Sequence, residues 1–263
     1  MSMNGQIFRN SEETRKAIFN NIQHISKNAS SMVDNKFQNE IDIIVEKLSK
    51  TFHILNIIVN YTDQKKVSDI KFDSNILLWQ GANALVGSLQ LIRQGYLIEP
   101  NILNRYVVES LTLAIDLFTN PNHYQKFKDG KLSGEKCITS AKKVIRVIGQ
   151  IYGILSQMTH PQSSILGTYF VRNRNTMLIG GGVLKETLHR VGLNLGILGF
   201  VTHVFLGGVE LIFYDFVPCH RFWVKQGGNL YKWQPNDREK KFGEMTQKMI
   251  HEALLELKES KND

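Results

Sequence analysis

Cysteine and proline are scarce in this sequence. Its 263 residues include only two cysteines, Cys137 and Cys219, and five prolines. The two cysteines are far apart and have no metal-like spacing, so the sequence indicates neither a disulfide framework nor a zinc site. We therefore expect a protein of the reducing cytoplasm that uses no metal and no other cofactor.

Several motifs of catalysis and targeting are also missing. There is no HExxH zinc motif, no Gly-x-Ser-x-Gly elbow and no cluster of cysteine and histidine. The glycine run 180–182 lacks a following Lys-Ser/Thr, so we interpret it as the end of a hairpin and not as a P-loop. Segment 1–16 is polar and has no small-residue cleavage site, so we expect no secretory signal.

The sequence has no stretch that resembles a linker. No segment rich in proline, glycine and serine separates regions of different composition, and no repeat is visible. At this length one hydrophobic core is sufficient. We predict a single domain over 1–263.

Apolar residues recur at helical spacing along most of the chain. Ile41, Ile44, Leu48 and Phe52 follow one another every three or four residues, which predicts a long, buried helical stripe. Further helices are predicted at about 12–29, 73–95, 99–120, 133–159, 183–217 and 236–258. The helices at 73–95 and 99–120 are expected to form an antiparallel hairpin. The fold class is therefore mainly all-α, a bundle of about six to seven helices.

Two β-prone runs interrupt this pattern. They lie at 165–171 and 176–179 and are separated by the polar residues 172–175. This arrangement predicts a small β-hairpin inserted near 165–180.

Segment 191–209 is apolar and contains no Lys, Arg, Asp or Glu. It is long enough to cross a bilayer, but basic residues flank it on both sides, so we favour a central buried helix over a membrane span. Gly192, Gly196 and Gly199 would allow a neighbouring helix to approach closely, either within the chain or across a dimer.

The positive charge of the chain is concentrated in one stretch. The formal net charge is +8, and residues 121–190 contain eleven Lys/Arg against three acids, while the rest carries 21 of each sign. Such a block indicates an anionic partner, with nucleic acid or nucleotide ahead of a membrane; the alternative is a lysine-rich solvated surface. The candidate nucleic-acid contacts are Lys142, Lys143, Arg146, Arg172 and Arg174.

The helix at 99–120 is apolar except for one narrow polar line. Arg105, Glu109, Thr112 and Asp116 are spaced by four, three and four residues and so lie along one side of the helix. An unpaired buried charge is costly, so Arg105 and Glu109 must be neutralised by each other, by another helix or by a ligand. A structural ion pair and a ligand-binding pair both fit. Because arginine precedes glutamate, the poorer order for a local pair, partners outside the helix are favoured.

A second polar line precedes the predicted hairpin. Tyr152, Ser156 and His160 are each four residues apart along one helix edge. Pro161 disfavours helical geometry at His160, so we expect the imidazole at the carboxyl end of the helix, where the dipole favours its protonated form. The candidate catalytic residues are His160, Arg105, Glu109, Tyr152 and Ser156.

An aromatic and basic patch follows the apolar helix. His220, Arg221, Phe222, Trp223 and Trp233 could stack on bases, or they could cover the end of a buried helix.

Residues 83–118, NALVGSLQLIRQGYLIEPNILNRYVVESLTLAIDLF, contain the Arg-x-x-x-Glu pair, and Tyr-x-x-Leu-Ser-x-x-x-His-Pro follows at 152–161. Over about 75–170 this pattern resembles bacterial all-helical proteins loosely grouped with HEPN-type domains. HEPN domains are helical bundles that usually dimerise, and their active members are metal-independent ribonucleases of toxin and antiviral systems. Those members carry an Arg four to six residues before the catalytic His, whereas this chain has Tyr152 and Ser156 before His160.

The resemblance implies a HEPN-like core at about 75–217, with helices within 12–61 and 236–258 packed on it, and a homodimer. It implies an RNA-binding or RNA-cleaving protein of a bacterial stress or phage-defence system, such as a toxin. His160 would then act as general acid or base and Arg105 would stabilise the charge of the phosphorane. The alternatives are a non-catalytic helical protein that binds a partner protein and, third, a protein associated with a membrane through 191–209.

Overall fold

Helices dominate the computed structural model of the chain. It describes residues 11–20, 23–24, 26–63, 67–159, 170–171, 176–177, 183, 187–228 and 230–259. The α-helices are α1 Ser11–Asn20, α2 Ser26–Asp63, α3 Asp69–Arg93, α4 Glu99–Thr119, α5 Tyr124–Lys128, α6 Gly134–Val144, α7 Ile148–Thr159, α8 Leu188–Ile212 and α9 Asp237–Glu259. Single 3₁₀ turns lie at Pro121–His123 and Tyr214–Phe216.

Two antiparallel hairpins complete the described part. Strand β1, Phe170–Val171, pairs with β2, Thr176–Met177, and strand β3, Trp223–Gly227, pairs with β4, Leu230–Trp233. The first hairpin and the mainly α-helical class confirm the sequence prediction. The second hairpin was not predicted, because the aromatic residues of 220–233 were assigned to a loop.

Four predicted helices have other bounds in the structure, and the one expected at 183–217 is α8, Leu188–Ile212. The helix expected at 133–159 is two helices, because Ile145 has extended geometry (φ −121°, ψ 92°) while its side chain stays buried, so the apolar pattern continues across the break. The helix expected at 12–29 ends at Asn20. Helix α3 begins at Asp69, before the expected Asp73, because Ser68 caps it by accepting a hydrogen bond from the backbone N–H of Lys71 (3.4 Å).

Helices α3 and α4 pack against each other as the predicted antiparallel hairpin. Late in α3, the hydroxyl of Ser88 donates to the carbonyl of Pro100, early in α4 (3.2 Å). Earlier in α3, a Cβ at Gly81 would lie 3.8 Å from the side chain of Ser110, which is farther along α4. The later residue of α3 contacts the earlier residue of α4 and the earlier one contacts the later, so the two helices are antiparallel.

Helix α8 is the core of the fold. By length and composition it could cross a membrane, but 94% of its most apolar window is buried among the other helices. It packs against α2, α3, α4 and α9. A Cβ at Gly199 would lie 2.7 Å from Cγ2 of Thr246, and one at Gly196 would lie 3.0 Å from Cγ1 of Ile250, so these glycines admit α9 of the same chain.

Glu210 is a buried carboxylate near the end of this apolar helix. Its oxygens accept backbone N–H groups from Arg221 (2.8 Å), Phe222 (2.8 Å) and Trp223 (3.2 Å). Burial raises the pKa of Glu210, and the three N–H donors oppose that rise. The carboxylate thereby fixes the start of β3 against α8.

A second buried charge cluster joins α2, α8 and α9. Lys47 of α2 donates to Oε2 of Glu239 on α9, and Nδ1 of His203 on α8 lies 3.5 Å from the same oxygen. The three side chains are at most 6% exposed. Burial opposes ionisation of Glu239, but His203 and Lys47 outweigh it and lower its pKa to about 2. Burial lowers the pKa of Lys47 and of His203.

We expect Lys47→Met to lower the free energy of unfolding by about 3 to 5 kcal/mol, because it leaves the Glu239 carboxylate buried without its cation. The double variant Lys47→Met/Glu239→Leu removes both charges and should recover most of that loss. Urea unfolding of both variants at neutral pH measures the difference. A single variant as stable as the wild type would contradict the buried pair.

The depressed pKa of Glu239 also fixes the direction of its pH dependence. The folded carboxyl has a pKa of about 2 against roughly 4.3 when unfolded, so its stabilisation is present above roughly pH 4.3 and is lost as the pH falls towards 2. In Glu239→Gln this acid-sensitive part of the stability should be missing.

Candidate active site along helix α4

The polar line of α4 faces α7 at one end and α6 at the other. The opposite sides of α4 pack on α3 and α8. At a rise of 1.5 Å per residue, Arg105 and Asp116 are roughly 16 Å apart along the helix axis. The line therefore divides into two clusters, each completed by a different neighbouring helix.

The first cluster, which we call the arginine cluster, contains Arg105, Glu109, Tyr152 and Thr159. The guanidinium of Arg105 donates to Oε1 of Glu109 (3.1 Å), to the phenol oxygen of Tyr152 (3.0 Å) and to Oγ1 of Thr159 (3.4 Å). The phenol of Tyr152 donates in turn to Oε1 of Glu109 (3.2 Å). Three of the five residues selected from the sequence are thus brought together between α4 and α7.

Both charges of the arginine cluster reach solvent. The side chain of Arg105 is 26% exposed and that of Glu109 is 43% exposed. Partial burial opposes the charge of Arg105, but the hydrogen bonds with Glu109 and Tyr152 outweigh it and raise its pKa. The guanidinium also lies over the ring of Tyr152, 5.2 Å from its centroid. The result is an oriented, permanently charged arginine at the surface, the group that pairs best with a phosphate or carboxylate.

Thr159 belongs to the cluster although the sequence analysis did not select it. It lies seven residues after Tyr152, which places both on one face of α7. Within the described ranges, Arg105 donates to the hydroxyl of Thr159 and not to that of the half-buried Ser156, whose backbone carbonyl accepts from Thr159 (3.5 Å). His160, which follows Thr159 in the sequence, lies outside the described residues.

Exposed cations lie at the junction between α6 and α7. Lys142 and Lys143 are in the last turn of α6, and Arg146 is in the turn that follows; all three are exposed. The aliphatic part of Lys142 covers Gly149, since a Cβ at that glycine would lie 2.8 Å from Cε of the lysine. Arg172 and Arg174 lie outside the described residues. The described cations therefore lie on α6 and on the turn between α6 and α7, the two helices that face the polar line of α4.

The second cluster, which we call the histidine cluster, contains Asp116, Asn120, His123 and Ser140. The carboxylate of Asp116 is 1% exposed; its Oδ2 pairs with Nδ1 of His123 (2.8 Å) and its Oδ1 accepts from Nδ2 of Asn120 (2.9 Å). The same amide nitrogen donates to Oγ of Ser140 (2.9 Å). Sequence reasoning placed Asp116 on the line but missed His123, because only the turn after Pro121 brings it back.

A thiol lies close to the histidine cluster without being reactive. Cys137 is 1% exposed, and burial together with the nearby Asp116 raises its pKa to about 11. A thiol with so high a pKa stays protonated near neutral pH and is a poor nucleophile. Within the described ranges, no group of three His, Cys, Asp or Glu side chains could hold a metal ion.

The aromatic patch selected from the sequence is mainly structural. Phe222 and Trp223 are buried. Phe222 and Trp233 pack against the ring of His203, while Trp223 packs on Trp233 and donates from Nε1 to the carbonyl of Gly207 on α8 (2.7 Å). They are therefore not a surface for stacked bases. His220 instead stacks on Tyr214, with ring centroids 3.6 Å apart.

Comparisons of the chain with protein-family models, with curated proteins and with solved structures find no match. The functional argument therefore depends on the two clusters of α4 and on the cations beside them.

The two clusters should differ in their contribution to stability. Glu109→Ala removes one partner of a solvent-exposed pair, so we expect a loss of about 0 to 1 kcal/mol. Asp116→Ala leaves Asn120 and His123 without their buried acceptor, so we expect a loss of roughly 1 to 3 kcal/mol. Denaturant unfolding measures both. Equal losses would show that the arginine cluster is a structural support.

Proposed function

We propose that the protein is a HEPN-like, cytoplasmic RNA-binding or RNA-cleaving protein of a bacterial stress or phage-defence system. The observation that carries the proposal is the half-exposed Arg105, which Glu109 and Tyr152 orient. The exposed cations of 142–146 lie in the chain just before α7, the helix that supplies Tyr152.

The geometry suits a phosphate backbone. Arginine donates several N–H groups in one plane, and Glu109 and Tyr152 hold that plane in place before a ligand arrives. Lys142, Lys143 and Arg146 would add attraction that does not depend on sequence, because each neutralised phosphate releases counterions. One specific contact surrounded by general ones is the usual composition of such an interface.

The catalytic part of the proposal assigns roles to Arg105 and His160. Arg105 stabilises the extra negative charge that develops on the phosphorane. His160 acts as general acid or base, a role supported by the resemblance of 152–161 to HEPN-type domains and by its position in the sequence directly after Thr159 of the arginine cluster.

The homodimer is also part of this proposal. The glycines of α8 suggested this helix as a dimer interface, but α8 is buried within the chain. Helix α9 of the same chain packs against its Gly196 and Gly199. A dimer would therefore form through another face.

A second candidate function is a helical protein that binds a partner protein without catalysis. The four hydrogen bonds among Arg105, Glu109, Tyr152 and Thr159 favour it, because these side chains already satisfy one another in the absence of a ligand.

We expect Lys142→Ala/Lys143→Ala to weaken RNA binding and to reduce the slope of log K against log salt by about 1.4, since each contact to a single-stranded phosphate contributes about 0.7. Fluorescence anisotropy of a labelled single-stranded RNA over a salt series measures this. The control is Lys240→Ala/Lys241→Ala, which removes two exposed lysines from α9 and should leave the slope unchanged. Equal effects of the two double variants would refute a local interface.

We expect His160→Ala to reduce RNA cleavage by about 10²- to 10⁴-fold while affinity and melting temperature stay close to those of the wild type, because a proton-transfer group is lost. Gel analysis of total cellular RNA at low salt measures cleavage. A wild-type chain that binds RNA without cutting it would overturn the catalytic roles of Arg105 and His160. A chain that neither binds nor cuts RNA would overturn the proposal.

A further inference from the structure

The histidine cluster has the arrangement of an acid–base group. The carboxylate of Asp116 is buried, whereas the side chain of His123 is 33% exposed. Their hydrogen bond runs through Nδ1 of the ring at 2.8 Å. Within the part of the chain that the structure describes, this is the hydrogen bond that the ring forms, so its second nitrogen, Nε2, is the one available at the surface.

The carboxylate decides which nitrogen carries the proton. An ionised carboxylate only accepts hydrogen bonds, so Nδ1 of His123 must donate to it. In a neutral imidazole the lone pair then lies on Nε2. Asn120 holds the other carboxylate oxygen at 2.9 Å and prevents Asp116 from turning away. The histidine is thus fixed in the tautomer of a general base.

The cluster also lies beside positive charge. Ser140 contacts the cluster from α6, and Lys136 and Lys143 share its face of that helix at spacings of four and three residues. Both lysines are exposed. Helix α6 contains three lysines and one glutamate, so an anionic substrate would be attracted to this end of the polar line.

The two clusters lie at the two ends of the polar line of α4. Along α4 the order is Arg105 and then Asp116; on the facing side it is α7, the cations of 142–146 and then Ser140 of α6. The segment from α6 to α7 therefore runs in the opposite direction to α4, and the cations of 142–146 lie in the chain between Ser140, which contacts the histidine cluster, and Tyr152, which belongs to the arginine cluster. An extended strand with repeated phosphates could contact all three.

We propose that His123, positioned by Asp116, is a general base that removes the proton from a ribose 2′-hydroxyl of an RNA strand bound along α4, α6 and α7. The inference rests on the RNA binding of the proposed function but places His123 in the role that the proposed function gives to His160. The two assignments are alternatives for the same proton transfer, and the variants His123→Ala and His160→Ala decide between them.

The chemical step balances without a further reactant. Nε2 of His123 takes the 2′ proton, the 2′ oxygen forms a bond to the adjacent phosphorus, and the bond from phosphorus to the 5′ oxygen of the next nucleotide breaks. That oxygen takes a proton from water, and the imidazolium returns its proton to the hydroxide. The products are a 2′,3′-cyclic phosphate and a 5′-hydroxyl end.

The experiment measures binding and cleavage of a labelled single-stranded RNA separately. We expect His123→Ala to reduce the cleavage rate by about 10²-fold or more with affinity unchanged. The matched control is His53→Ala, since His53 is an exposed histidine on α2 far along the chain from the cluster; its cleavage rate should equal that of the wild type. A 2′-O-methyl RNA should bind and stay intact, because it has no 2′ proton.

Asp116→Asn tests the positioning role. It should lower kcat while KM stays unchanged, because the amide alters the orientation and tautomer of His123 but not the cations that hold the strand. Where a variant fails to fold, nitrogen NMR of the wild-type imidazoles is the second measurement. The His123 ring should be protonated at Nδ1, and its Nε2 resonance should shift when the 2′-O-methyl RNA is added.

The outcomes separate this inference from the proposed function. Cleavage that survives in His123→Ala but is lost in His160→Ala overturns the inference and leaves the proposed function standing. RNA that is bound but not cut, a cut 2′-O-methyl strand, or an Nε2 resonance that does not respond also overturns it. Absence of RNA binding overturns both.

Discussion

The fold depends on the burial of α8, a helix that is apolar on every side. Such a helix has no face to offer to water, so other helices must surround it. Helices α2, α3, α4 and α9 do so, and glycines along α8 let α9 approach its backbone. The buried carboxylates in this core have hydrogen-bond partners: Glu210 accepts from backbone N–H groups at the start of β3, and Glu239 pairs with Lys47. Burial without these partners would cost more than the packing provides.

This packing determines where function can lie. Helix α4 gives its apolar sides to α3 and α8, so its polar line is directed towards α6 and α7, which cover it only in part. The outcome differs along the line. Arg105 and Glu109 stay half exposed, whereas Asp116 is buried and is hydrogen-bonded to the more exposed His123. The polar line thus positions a cation at one end and an imidazole at the other, and exposed lysines and an arginine lie on the helices that face it and the turn between them.

Much of the candidate site followed from spacing. Arg105 and Glu109 are four residues apart on one helix, and Tyr152 begins a line on another, so a close meeting required only that the two helices pack together. The histidine cluster required more. Asp116 and His123 are separated by the end of α4 and a 3₁₀ turn, and Ser140 comes from a helix whose direction no local pattern reveals. A turn whose geometry depends on what it packs against has no signature in the spacing of its residues.

The sequence by itself determined the helical class, the ends of α4, the antiparallel pairing of α3 with α4 and the first hairpin, because each follows from apolar periodicity, prolines and turn residues close in the chain. It also revealed the polar line of α4, from Arg105 to Asp116, on a helix that is otherwise apolar. Only the tertiary structure decided that Phe222 and Trp223 are core residues, that the helix after Ser133 breaks at Ile145, and that Asp116 is paired with a histidine. These outcomes depend on contacts between distant segments, and the burial of a side chain is a property of its neighbours in space.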